Sequence, residues 1–121
     1  MEPHGEGQAY ASDRTLTETD IMRRILRDLG SRPDMRLWRQ SSGVAFRGTA
    51  AIRFGINGCA DLSGILHDGR RVEIEVKTAK GRQSKQQRAF EFMIARFGGI
   101  YLIARSTEDA LVQLRARGYC R

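Results

Sequence analysis

Asp61, Glu75 and Lys77 are the side chains whose types and spacing suit chemistry on a charged substrate. From Arg71 onward, Val72, Ile74 and Val76 alternate with Glu73, Glu75 and Lys77, the period-two pattern of a strand with one face buried. Glu75 and Lys77 therefore share the polar face. Leu62–Leu66 reads as a partner strand, and His67, Asp68 and Gly69 supply the turn that joins the two antiparallel. A two-residue turn at Asp68 and Gly69 would oppose Asp61 to Val76 and carry it onto the apolar face. A three-residue loop with Gly69 in the left-handed conformation opposes Asp61 to Glu75 instead. The second register is expected, because it also sets Leu62, Gly64 and Leu66 beside Val72, Ile74 and Val76 on one buried face. Directly opposed Cβ atoms stand roughly 5 Å apart, so two carboxylates would face each other with an ammonium alongside. That costs stability unless a cation lies between them. The plain alternative for the same residues is a solvated sheet face with a surface ion pair.

The wider run Phe54-Gly55-Ile56-Asn57-Gly58-Cys59-Ala60-Asp61-Leu62-Ser63-Gly64-Ile65, then Glu75-Val76-Lys77-Thr78, then Gly81-Arg82-Gln83-Ser84 with Gln87, resembles the VRR-NUC (virus-type replication-repair nuclease) family of the PD-(D/E)XK nuclease superfamily. The likeness covers roughly residues 15 to 110. Ala60 stands where the superfamily motif has proline, a residue that shapes the strand entry without touching metal. The resemblance implies an α/β PD-(D/E)XK-like core and a metal-dependent DNA endonuclease leaving a 5′-phosphate and a 3′-hydroxyl. It also implies the roles. Asp61 and Glu75 would be hard oxygen ligands for magnesium, with manganese as substitute, and Val76 would add its backbone carbonyl. Lys77 would hold or deprotonate the attacking water and steady charge on the phosphate. Glu18 would be a third carboxylate near the start of the first helix, Gln87 would lie near the site, and Arg39 with Gln40 would touch phosphate. Stand-alone members of this size are phage-type, structure-selective nucleases. By that analogy, branched or four-way junction DNA and a homodimer are the expected partners, in a host cytoplasm.

Composition bears on the partner independently. The 121 residues suit one domain, over residues 15–118, and carry a net charge of +7; Lys77, Lys80 and Lys85 are the only lysines among 21 basic residues, so 18 are arginine. Arginine forks suit bidentate phosphate contacts, and such a balance favours a polyanionic partner over mere solubility. Arg47, Arg53, Lys80, Arg82 and Lys85 lie in loops or at a helix start flanking the expected site, where they would form a sequence-independent, salt-sensitive phosphate surface. Cys59 and Cys120 have no zinc spacing with His4 or His67, which suits a reduced, intracellular, cytoplasmic protein. No apolar run approaches the roughly 20 residues of a membrane span. Residues 1–14 lack Leu, Ile, Val and Phe, and a disordered tail that is neither signal peptide nor anchor is expected there.

The elements that must position these side chains follow in order. Thr15 with Glu18 forms a capping box for a first helix, Thr17 being a competing cap; Ile21, Met22, Ile25, Leu26 and Leu29 recur at helical spacing up to Gly30. Glu18 is thus open to two roles, cap or ligand. Residues 35–40 read as a first strand anchored by Trp38, and residues 44–46 as an extension of the sheet within a Gly-punctuated segment. After the central hairpin, Ser84 caps a second helix with Gln87 completing the box, so Gln87 too is open to a capping or a site role. Phe90, Met93, Ile94 and Phe97 line one face of that helix, which ends at Gly98 and Gly99. Residues 100–104 suit a strand buried on both faces and parallel to the Glu75 strand, and Ser106 with Asp109 caps a last helix. The expected order is α-β-β-β-α-β-α, a mixed sheet flanked by helices. A catalytically silent nucleic-acid-binding module would share this fold and charge. A restriction-type, sequence-specific endonuclease would share the site but needs extra elements for base contacts.

Overall fold

The computed structural model describes residues 15–121; the tail expected over residues 1–14 lies outside them. The first helix, α1 (Glu18–Gly30), begins two residues later than a Thr15 cap would set it. The Thr17 hydroxyl accepts from the Asp20 amide at 3.1 Å, and Asp20 Oδ2 accepts from the Thr17 amide at 3.1 Å. The capping box is therefore Thr17 with Asp20, and the Thr15 to Glu18 box is not formed. Ile21, Met22, Ile25 and Leu29 form the buried stripe of α1.

Four strands make the main sheet in the order β1 (Met35–Arg39), β4 (Leu62–Leu66), β5 (Arg71–Val76) and β6 (Ile100–Ala104). The β1–β4 and β4–β5 pairs are antiparallel and β5–β6 is parallel, the crossover running through α2 (Lys85–Arg96). The last helix is α3 (Thr107–Ala116), capped by Ser106, whose hydroxyl accepts from the Asp109 amide. The β4–β5 register pairs Leu62 with Ile74 and Ser63 with Glu73. It turns through the three-residue loop at Gly69, whose φ of +90° is the left-handed conformation that loop requires. The expected register holds.

One side of the sheet packs against α1 and α3. Leu62, Leu66, Val72, Ile74, Val76, Ile100, Leu102 and Ala104 meet Ile25, Leu29, Ala110 and Leu114 there in the main core. The other side is partly covered by α2, whose Phe90 and Ile94 cluster with Ala60 and Tyr101. That cover corrects the one-sided expectation for β5: Glu73, Glu75 and Lys77 are buried too, because a helix lies over their face.

The cover stops short of β1. Trp38, paired with Ser63 on that second face, is 44% exposed and anchors nothing; Met35 takes the core position on β1 instead. Phe97 likewise leaves the helix face, since it is the C-cap residue of α2 and stands exposed. Residues 44–46 do not extend the main sheet. They belong to β2 (Gly43–Arg47), which pairs only with β3 (Ala50–Phe54) in a separate two-stranded sheet. No helix among the described residues is long and apolar enough to cross a membrane.

Candidate active site

Asp61 precedes β4 and is fixed at both ends. Its carbonyl accepts from the Gln40 amide at 2.8 Å, and its Oδ2 accepts from the Val76 amide at 2.8 Å. The first bond ties it to the end of β1 and the second to the end of β5. Continuing the β4–β5 register by one step brings Asp61 opposite Glu75. Val76 contributes its amide to this arrangement, while its side chain lies in the core.

Glu75 is 2% exposed. Its Oε2 accepts from Gln87 Nε2 at 2.9 Å and lies 3.5 Å from Lys77 Nζ. Its Oε1 is buried without a hydrogen-bond partner. Burial above all, then the charge of Asp61 and a hydrogen bond that the protonated Glu75 carboxyl can share with Asp61, push the Glu75 carboxyl from 4.5 up to about 8, against the opposing pull of Lys77. At neutral pH this position therefore retains a proton, or takes a cation in its place.

Gln87 fills both of its possible roles at once. Its Oε1 accepts from the Ser84 amide at 2.8 Å to complete the α2 capping box, which leaves Nε2 free to hold Glu75. Lys77 is 8% exposed, its amide bonded to the Ala104 carbonyl and its aliphatic stem against Gly81. The loop over residues 78–81 is pinned from the far side by Arg105, which donates to the Thr78 carbonyl and, at 2.9 Å, to the Gly81 carbonyl.

A cleft of about 260 Å³ opens on the other side of Asp61, lined among others by Glu18, Arg39, Gln40, Ser41 and Ser42. Glu18, freed from capping, thus shares a wall with Asp61. Even so, no group of three or more His, Cys, Asp or Glu side chains among the described residues is placed to hold a metal. Two carboxylates suffice for magnesium where phosphate oxygens and waters fill the remaining positions. With a buried, unpartnered carboxylate oxygen at Glu75 and an all-oxygen donor set, Asp61 and Glu75 fit such an ion.

The remaining basic residues fall elsewhere. Lys80, Arg82 and Lys85 are exposed in the loop after β5 and at the first turn of α2, and Arg47 and Arg53 ride on the β2–β3 hairpin. None of them lines the cleft. Two neighbours of the site carried no signal of their own in the sequence: Arg105 reads there as one more surface arginine, and Tyr101 as one more apolar strand residue. The Tyr101 hydroxyl accepts from Gln83 Nε2 at 3.3 Å, and burial, with the nearby charge of Glu75, pushes it up. Comparison of this chain with known protein families, with curated proteins and with solved structures returned no match.

Proposed function

We propose that this chain is a metal-dependent endonuclease of the PD-(D/E)XK type, resembling the VRR-NUC family, that hydrolyses DNA phosphodiesters to a 5′-phosphate and a 3′-hydroxyl. The observation that carries the proposal is the Glu75 carboxylate, buried between Asp61, Lys77 and Gln87 with one oxygen left unpartnered. In an ordinary structural ion pair the carboxylate oxygens meet hydrogen-bond donors, whereas the group facing Glu75 here is the second carboxylate, Asp61.

Asp61 and Glu75, with the Val76 carbonyl, would hold magnesium, or manganese in its place. When bound, such an ion lowers the pKa of a coordinated water and neutralises charge on the phosphate. The side chains contribute the rest. Gln87 fixes the rotamer of Glu75, so the carboxylate is oriented before substrate arrives. Lys77, held against Glu75 by the 78–81 loop, orients the attacking water and donates to the phosphate oxygens as negative charge builds. Arg39 and Gln40 bind the phosphate backbone from the cleft wall, with Glu18 as the third carboxylate there. The excess of arginine supplies affinity that depends on salt and little on sequence. Branched DNA and a homodimer, which would make paired cuts across a junction, complete the proposal.

The test is cleavage of a four-way junction, a flap and a plain duplex of matched sequence, with magnesium, manganese or excess chelator. Cleavage that requires the ion, prefers the branched substrates and leaves ends a ligase can rejoin is expected. Cleavage undiminished in chelator would rule out the metal-dependent mechanism.

A further inference from the structure

The β2–β3 hairpin stands apart from everything described so far. Its strands pair only with each other, and every residue of both except Gly43 is exposed. A two-stranded hairpin is marginally stable in water by itself, and this one leaves Val44, Phe46, Ile52 and Phe54 open to solvent, Phe46 at 72%. They fall two to a face, Val44 and Phe46 on one and Ile52 and Phe54 on the other, and adjacent apolar side chains left exposed together mark an interaction site.

Its charge selects the partner. Between Asp34 and Asp61 the chain has no acidic residue, while Arg36, Arg39, Arg47 and Arg53 are all basic. Two such hairpins laid together would bring arginines against arginines with no carboxylate to meet them, whereas a polyanion complements the ribbon along its length. Its position selects the place. Ser41 and Ser42 line the cleft and lead directly into β2. At the base, Gly55 sits at φ +73° with its Cα against Ser41 and Ser42, so close that a Cβ there would stand 2.8 Å from the Ser42 Cα. The hairpin is therefore anchored to the cleft wall.

Register and alternation set the chemistry of the ribbon. Phe46 and Val44 share one face with Ala51 and Arg53, and Phe46 lies opposite only a methyl group. Phe54 is already engaged, its ring lying over Gly43. Phe46 is left as an uncovered aromatic plane on a basic ribbon. In an intact duplex the base faces are stacked on one another and offer such a ring nothing, whereas unpaired bases present their faces for stacking. We infer that the β2–β3 hairpin binds nucleic acid beside the cleft by stacking Phe46 on an unpaired base, with Arg53, on the same face of the ribbon, on a flanking phosphate. This rests on the nucleic-acid reading of the cleft but not on its cleavage chemistry.

The experiment uses the full chain in excess chelator, so that binding is read without cleavage. Two labelled DNAs of equal length serve as probes, one fully paired and one with a short unpaired stretch carrying 2-aminopurine. The wild type is expected to bind the unpaired DNA more tightly and to quench the 2-aminopurine. Phe46→Leu keeps an apolar strand residue but no flat ring. It should lose the quenching and roughly 5- to 150-fold of the affinity for unpaired DNA, with paired DNA bound as before. Phe46→Trp should restore both. Equal binding of both DNAs by wild type and Phe46→Leu would overturn the inference. So would a wild-type dimer in sedimentation that Phe46→Leu turns to monomer, or flotation on anionic vesicles that Phe46→Leu abolishes. Loss of the inference in these assays leaves metal-dependent cleavage standing, and absence of cleavage with metal present leaves the quenching result standing.

Discussion

Strand β5 presents two buried glutamates to one face, and the two ends of that face differ in what they leave unmet. At the Glu73 end, Ser63 Oγ lies 2.8 Å from both carboxylate oxygens and Arg71 Nε lies 2.6 Å from Oε2. Glu73 is 0% exposed and fully provided for. At the Glu75 end the burial is nearly the same, yet Oε1 has no partner and the neighbour across the strand is another carboxylate. Burial alone does not separate a structural acid from a chemical one. What differs is the unmet hydrogen-bonding capacity, since a buried polar atom without a partner calls for an explanation that a fully paired one does not.

The sharpest way to break this comparison is to remove the ammonium at one end. Lys77→Met keeps the buried stem and should lower single-turnover cleavage by about 10²- to 10³-fold, with metal binding by calorimetry little changed. A variant that cleaves like wild type would leave Lys77 a structural cation.

At the other end the effect should fall on stability. Glu73→Ala strands Ser63 and removes the Arg71 pair, and denaturant unfolding should show a loss of about 1–3 kcal/mol. Cleavage by the folded fraction should persist. If Glu73→Ala instead abolished cleavage at full stability, the two ends would be one site.

Gln87→Ala tests the link between cap and site. It removes the donor to Glu75 and half of the α2 capping box, and metal affinity or rate should fall about 10- to 100-fold, as for other groups that orient a ligand. Gln87→Glu keeps the acceptor for the Ser84 amide but sets a carboxylate where the donor to Glu75 stood, so it should not recover the wild-type rate.

The gentlest test leaves the chain unchanged and varies pH. The Glu75 carboxyl is raised from 4.5 to about 8 in the fold, so between those values the folded chain keeps a proton that the unfolded chain has released. Its contribution to stability is present at low pH and lost as pH rises through that window. Thermal unfolding in chelator should show this decline in the wild type and a flatter profile in Glu75→Gln. Identical profiles would mean that Glu75 titrates normally.

The local rules carried the fold a long way. The alternation from Val72 to Lys77, the Gly69 loop that opposes Asp61 to Glu75, the Ser84 and Ser106 caps and the parallel β6 were all legible in the sequence, because each depends on residues within a few positions or on one crossover. The Thr17 cap won over Thr15 by a hydrogen bond to Asp20 that the sequence offered as readily as the alternative. What only the tertiary structure decided is whether the polar face of β5 meets water or α2. The same alternating sequence suits either, since the cover comes from Phe90 and Ile94, distant in the chain. That packing turned a surface ion pair into a buried carboxylate with an open oxygen, brought Arg105 across to hold the lysine loop, and left Trp38 outside because α2 does not reach β1. It also set β2 and β3 apart from the main sheet, for a pairing partner is chosen by three-dimensional reach, which the pattern within a strand does not encode.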